Sequence, residues 1–531
     1  MKVRLITATA ALALMMGIGA SAQAASTIRY CSEGSPEAFG PQLFDAGTTI
    51  DAVRPIFNRL IETKPGTTDP VASLAESWDV SDDGKTYTFH LRKGVKFGAT
   101  KYFKPTREFN ADDVVFSFNR MLDKNSSYHM VGGGTYAYFE GMGMGDIMKS
   151  VEKIDEHTVK VTLNAPEAPF VSELGMEWAS ILSKEYADKL EKDGKKDQID
   201  QMPVGTGPFT FVSYEKDAVI RYQANPDYWR GKQKIKNLVF AITKDPKTRM
   251  AKLMKGECDI YPYPAPADLA ALKANPKLTV MESEGPNLAY FIMNNKMKPW
   301  DNKIVRQAMN MVFNKEAIVK AVFLGGAKVA KNPLPPTVWG YDDSVQPYPY
   351  DPAKAKEMLE SQGVKDLTVD LWYQPVSRPY NLDGKKMGEL MQADLAKVGI
   401  TANLKTYDWA EYLKRMHAGE APLGQIGWGA DIGDPDNFLY FHGCGGTGNP
   451  PGQNNEKWCN NEYDALLKQG KETSDQAKRT EIYKKAQQLM HEEAPIVPIV
   501  HSLTFMPMSK KVDGYVLDPL GIHNFENVGL K

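Results

Sequence analysis

The stretch from Leu367 to Asn437 constrains the fold more than any other part of this 531-residue chain. Leu367, Val369, Leu371 and Tyr373 alternate with Thr368, Asp370 and Trp372, the period-two pattern of a strand. From Lys385 to Val398, Met387, Leu390, Met391, Leu395 and Val398 fall three or four apart and form one helical stripe, which Gly399 ends. Ile400, Ala402 and Leu404 predict a second strand, Trp409 to His417 a short helix, and the run ending LGQIGW a third strand. A β-α-β-α-β order implies a parallel sheet with right-handed crossovers. Arg378 follows the first strand and Asp431 the third. Ligands in such sheets sit beyond the carboxyl ends of the strands. One cation and one anion are therefore expected to face one cleft, unless both are ordinary solvent-facing loop charges.

A chain of this length exceeds what one core supports, so two or three domains are expected. Lys and Arg number 64 against 66 Asp and Glu, which leaves no basic surplus for nucleic acid. The start MKVR, the apolar run ITATAALALMMGIGA and the small residues Ala22 and Ala24 read as a cleavable signal peptide over residues 1–24. The apolar run is too short for a membrane anchor, which needs about 20 residues. An exported, soluble product is expected. Cysteines stand at 31, 258, 444 and 459. An even number in an oxidising compartment suggests two disulfides, with three connectivities open. Cys444–Cys459, closing a local Gly- and Asn-rich loop, is favoured, which leaves Cys31–Cys258. No Cys pair has zinc-ligand spacing.

Elsewhere, LAESWDVSDDGKTYTFHLRKGVKF reads as a hairpin turning at DDG. NADDVVFSFNRML reads as a helix capped by Asn110. GTTIDAVRPIFNRLIE carries a helical stripe, Ile50, Val53, Ile56, Phe57 and Leu60, with Thr48 or Thr49 as cap. KIVRQAMNMVFNKEAIVKAVF reads as one long amphipathic helix, and PIVPIVHSLTFMPMS as a strand. DDGKT is no phosphate-binding loop, because Asp79 stands where its first glycine belongs and a hairpin is the wrong context. GMGMG at 141–145 lacks the preceding strand of a dinucleotide site. No cofactor is expected.

Motifs spread over nearly all of the mature chain resemble the peptide-type (family 5) solute-binding receptors of bacterial ABC importers. They include the hairpin sequence, FKPTREFNADDVVFSFNRML, GTGPF at Gly205–Phe209, NPDYW at Asn225–Trp229, the Pro335–Tyr341 segment and YDPAKAKEML. SRPYN, WAEYLKR and GDPDNF look most like the dipeptide-binding members. The resemblance implies an α/β, two-lobed periplasmic-binding-protein fold (type II), an additional domain on one lobe and a ligand cleft between lobes. Residues 25–70, 200–290 and 505–531 would form lobe I, 71–199 the extra domain, and 291–504 lobe II. It implies a periplasmic monomer that captures dipeptides or short peptides and delivers them to permease subunits in the inner membrane.

By the same resemblance, Arg378 binds the ligand carboxylate and Asp431 its ammonium, while Tyr380 and Trp409 line the pocket. Asp434 and Asp436 compete with Asp431, but Asp434 before Pro435 suits a turn. Gly47 and Thr48 are candidates to meet the peptide bond through backbone groups. Gly427, Trp428 and Gly429 would do so from the opposite lobe, and Tyr138 would wall the pocket. The loop GADIGDPDN departs from the usual GDNGDPDN at Ala430 and Ile432, which leaves side-chain preference open. Haem, glutathione and longer peptides remain alternative cargo for the same fold. A secreted peptidase is a remote alternative, since neither H-E-x-x-H nor G-x-S-x-G occurs.

Overall fold

A computed structural model describes residues 26–444 and 454–531. Its largest sheet runs in the order Leu278–Glu284, Ile496–Ser509, Asn287–Met293, Leu423–Gly429, Leu367–Trp372 and Ile400–Lys405, with Ala327–Val329 added on Ile496–Ser509. Leu367–Trp372 lies between Ile400–Lys405 and Leu423–Gly429 and runs parallel to both. Gly384–Lys397 and Trp409–His417 are the crossover helices. The predicted β-α-β-α-β unit is present. Every residue of Asn287–Met293 is buried, because helices cover both faces of the sheet. Ala289, Phe291 and Met293 enter one apolar core, and Leu288, Tyr290 and Ile292 enter the other.

A second body is built on two four-stranded sheets. In one, Thr27–Tyr30 runs parallel to Asn237–Ala241, followed by antiparallel Val219–Ala224 and Phe209–Glu215. The other is antiparallel: the predicted hairpin Ala75–Val80 and Thr86–Leu91, then Thr158–Leu163 and Met148–Asp155. One apolar core containing Ile28, Phe240, Phe89 and Val161 joins them.

The bodies share a pair of crossing strands. Ile496–Ser509 puts Val497 and Val500 into a core of the large sheet and Met506 and Met508 into that of the other body. Its partner chain runs back through Leu278–Glu284 and Asn287–Met293, and breaks pairing at Gly285 and Pro286. The bodies also touch across the cleft. Ile432, from the loop after Leu423–Gly429, is buried in the core of the opposite body. A Cβ on Gly433 would lie 2.2 Å from Thr68 Cβ, so glycine permits this approach.

Two expectations are corrected. The first helix spans only Gly47–Val53 and has no side-chain cap. Pro55 follows just past the cap residue Arg54, and the Thr49 hydroxyl instead accepts from Glu37 N–H. The region 303–322 is two helices, Lys303–Asn310 and Lys315–Val322, with Asn314 capping the second. Both favoured disulfides, Cys31–Cys258 and Cys444–Cys459, are formed. Among the described residues, no helix is long and apolar enough to cross a membrane.

Candidate functional site

The carboxyl ends of Leu367–Trp372 and Leu423–Gly429 open onto a cavity of about 520 Å³ between the two bodies. On the first loop, Arg378 and Asn381 exchange backbone hydrogen bonds, both 2.9 Å, and so close a tight turn around Pro379 and Tyr380. Asn381 Nδ2 donates to Gln425 Oε1 (3.0 Å), and Ser502 Oγ donates to Pro379 O (2.7 Å). These bonds fix the turn to the neighbouring strand and to the crossing strand. The Arg378 guanidinium lies over the Trp409 ring, 5.2 Å from its centroid. Arg378 is exposed, and no carboxylate among the described residues pairs with it.

The second loop is held from below. Asp434 makes a two-pronged pair with Arg479 at 2.7 and 2.9 Å, and both side chains are buried. Asp434 Oδ1 also accepts from Asp436 N–H. Asn437 Oδ1 accepts from Asp431 N–H (2.9 Å) and from Trp428 Nε1 (3.2 Å). The Asp431 side chain is thereby aimed at the cavity, where the Tyr138 hydroxyl of the other body donates to Oδ1 at 2.9 Å. No described cation forms an ion pair with Asp431. Burial pushes its carboxyl up to about 7, and hydrogen bonds from Tyr138 and Asn437 offset this only in part.

Arg378, Tyr380, Trp409, Gly427, Trp428, Gly429, Asp431, Gly47 and Tyr138 all line this cavity. Thr48 does not. Its methyl instead lies where a Cβ on Gly34 would meet it, because the helix turns that side chain away from the cleft. At Gly427 a Cβ would fall 2.2 Å from Tyr380 Cδ2 and 2.5 Å from Leu288 O, so glycine is what lets Tyr380 lie against the strand. Gly429 has open space in front of it. The wall also includes Glu173, Tyr290, His417, Tyr440 and Lys471, which no sequence signal marked. They come from separate segments, and only the packing of the two bodies brings them to one surface. Among the described residues, no group of three or more His, Cys, Asp or Glu side chains is placed to hold a metal ion.

Comparison with known proteins places the chain in a family. Residues 69–449 match the model of the bacterial extracellular solute-binding proteins, family 5 middle. The chain belongs to that family. It is 51% identical over 519 residues to the dipeptide-binding protein of Escherichia coli, covering 97% of this chain and 96% of that one. It is 47% identical over 508 residues to heme-binding protein A of Haemophilus influenzae, covering 95% and 92%. A solved dipeptide-binding protein of a Pseudoalteromonas species, in complex with Met-Leu, superposes with a TM-score of 0.86 at 37% identity, covering 95% of this chain and 100% of that one. Family 5 solute-binding proteins are not enzymes, and this chain is read as a binder.

Proposed function

We propose that this protein is the substrate-binding receptor of a bacterial ABC importer, and that it captures dipeptides or other short peptides in the cavity between its bodies. The observation that carries the reading is the pairing of Arg378 and Asp431, opposite charges without protein counter-ions on the wall of one cavity. A zwitterion supplies both partners. The guanidinium grips the carboxylate through two parallel hydrogen bonds, and Asp431 takes the ammonium. A volume of about 520 Å³ falls within the roughly 300–1,000 Å³ of small-molecule sites. In this reading the cleft separates lobe I (25–70, 200–290 and 505–531, with 71–199 attached) from lobe II (291–504). Ligand favours closure because only the closed form contacts it from both sides. The closed receptor then docks on a membrane permease, reached after residues 1–24 direct export to the periplasm. Haem fits less well, since its two propionates leave from one edge of the macrocycle and would ask for cations there, while the molecule offers no cation to Asp431.

A thermal-unfolding screen tests the assignment. Ala-Ala at about 100 times its dissociation constant should stabilise the mature protein by roughly 2.7 kcal/mol. N-acetyl-Ala-Ala and Ala-Ala amide should each lose most of that shift. A response to glutathione or haem without one to Ala-Ala would sink the dipeptide reading and leave the fold intact.

The elevated Asp431 carboxyl sets a pH dependence. Its folded value near 7 lies above the ordinary 3.8, so the empty closed form holds a proton there that the unfolded chain has lost. That contribution to stability is fully present below the ordinary value and is lost as pH rises through about 7. Ligand binding has the opposite sign, because the ammonium requires the ionised carboxylate. Affinity for Ala-Ala should climb as pH rises toward 7, then fall once the ligand's α-amino group deprotonates above about 8. Calorimetry near pH 6, repeated in buffers of different ionisation enthalpy, should register proton release. An affinity unchanged from about pH 5 to 7 would remove Asp431 from the role.

A further inference from the structure

At the Asp431 end the cavity wall carries more negative charge than one ammonium needs. Glu173, Asp436 and Lys471 stand there with Asp431, and the Tyr440 hydroxyl feels all four. Lys471 is already engaged: its Nζ lies 3.2 Å from Glu167 and 3.3 Å from Asp436. Asp434 is taken by Arg479. That leaves Glu173. It is 3% exposed, and its Oε2 is buried without a hydrogen-bond partner. An orphaned carboxyl oxygen in a native interior is costly and calls for an explanation. Burial, reinforced by Glu167, holds its carboxyl well above the usual range.

We propose that Glu173, with Asp436 beside it, forms a subsite for the side chain of the ligand's first residue, and that the subsite selects a basic side chain such as that of lysine. This rests on Asp431 receiving the α-ammonium, which fixes which end of the peptide lies here. The cationic group takes the place of the proton on Glu173, and that proton leaves to solvent. An acidic side chain at the first position would meet Asp431, Asp436 and Glu173 together, with Lys471 already shared. At the second position, near Arg378, a basic side chain gains nothing from this cluster. Glu173 is contributed by the body opposite the one that carries Asp431 and Arg378, so the subsite is complete only when the cleft is closed.

The test measures dissociation constants by calorimetry for Ala-Ala, Lys-Ala, Ala-Lys, Gln-Ala and Glu-Ala on the mature protein and on Glu173→Gln. Lys-Ala should bind about tenfold tighter than Ala-Ala, and Glu-Ala about tenfold more weakly. Ala-Lys should match Ala-Ala. In Glu173→Gln the ratio of Lys-Ala to Ala-Ala should collapse toward one, with the thermal midpoint of the empty variant recorded as a check on folding. If that variant does not fold, the contrast between Lys-Ala and Ala-Lys on the unaltered protein decides the matter. Equal gains for Lys-Ala and Ala-Lys, or a preference for Gln-Ala over Lys-Ala, would overturn the subsite and leave the receptor reading standing. Failure of Ala-Ala itself to bind would instead overturn the receptor reading.

Discussion

Asp431→Asn should weaken dipeptide binding by roughly 2–5 kcal/mol, about 30-fold to several-thousand-fold, while leaving the empty protein as stable as before or more so. The two effects have one origin. Without ligand, Asp431 is a half-buried carboxyl with a hydroxyl and an amide for company and no cation. An asparagine still accepts from Tyr138 and loses only a group that resists ionisation, so the fold gives up nothing. With ligand, the loss strands the peptide ammonium in a water-poor cleft. Arg378→Ala should act comparably on the carboxylate end. Arg378→Lys should recover only part of the loss, since a lysine presents a point charge and no fork. Dissociation constants paired with urea midpoints of the empty variants check this. A large fall in empty-state stability for Asp431→Asn would mean that the carboxylate has a structural partner and is no ligand group.

Arg479→Ala should be the most destabilising single change in the site region, costing about 3–5 kcal/mol. The guanidinium donates two hydrogen bonds to Asp434, a third, at 2.9 Å, to Gly470 O and a fourth, at 3.0 Å, to the Tyr483 hydroxyl. Removing it leaves Asp434 buried and unpaired beneath the loop that aims Asp431. Binding should weaken too, although Arg479 touches no ligand, because the seat of Asp434, Asp436 and Asn437 loosens. Removing both charges with Arg479→Met and Asp434→Leu should restore much of the stability, since an apolar pair can replace a buried ion pair. Urea denaturation of the single and double variants separates the cases. A double variant no better than the single would show that the guanidinium matters for its shape and not for Asp434.

The β-α-β-α-β unit was legible because period two and period 3.6 both register burial on one face, and Ile400–Lys405 and Gly384–Lys397 each bury one side and expose the other. Topology then carried Arg378 and Asp431 to one edge without further information. Helix continuity was less legible. The apolar spacing through 303–322 survives a break before Asn314, because the pattern records which side faces the core and not whether the backbone bends. Thr48 misled for a related reason: a hydroxyl at a helix start has several uses, and the neighbouring Thr49 serves Glu37. Glu173 and Lys471 were invisible. Each sits in an unremarkable segment, and their shared chemistry exists only across the closed cleft.

Ile432 bears on how sensitive such a receptor can be. It follows Asp431 directly, so the peptide that reaches for the ammonium site is attached to an apolar plug that enters the core of the facing body. Burying a side chain of that size contributes roughly 1.5–3 kcal/mol, and it does so whether the cavity is full or empty. Closure is therefore partly driven by the receptor itself, and a ligand has to supply less of the difference between the two states. The threshold concentration at which the protein responds falls for every peptide alike, so weak and strong ligands are retained together. Breadth of diet would then follow from one isoleucine at the edge of the cavity whose burial in the facing body is the same for every cargo.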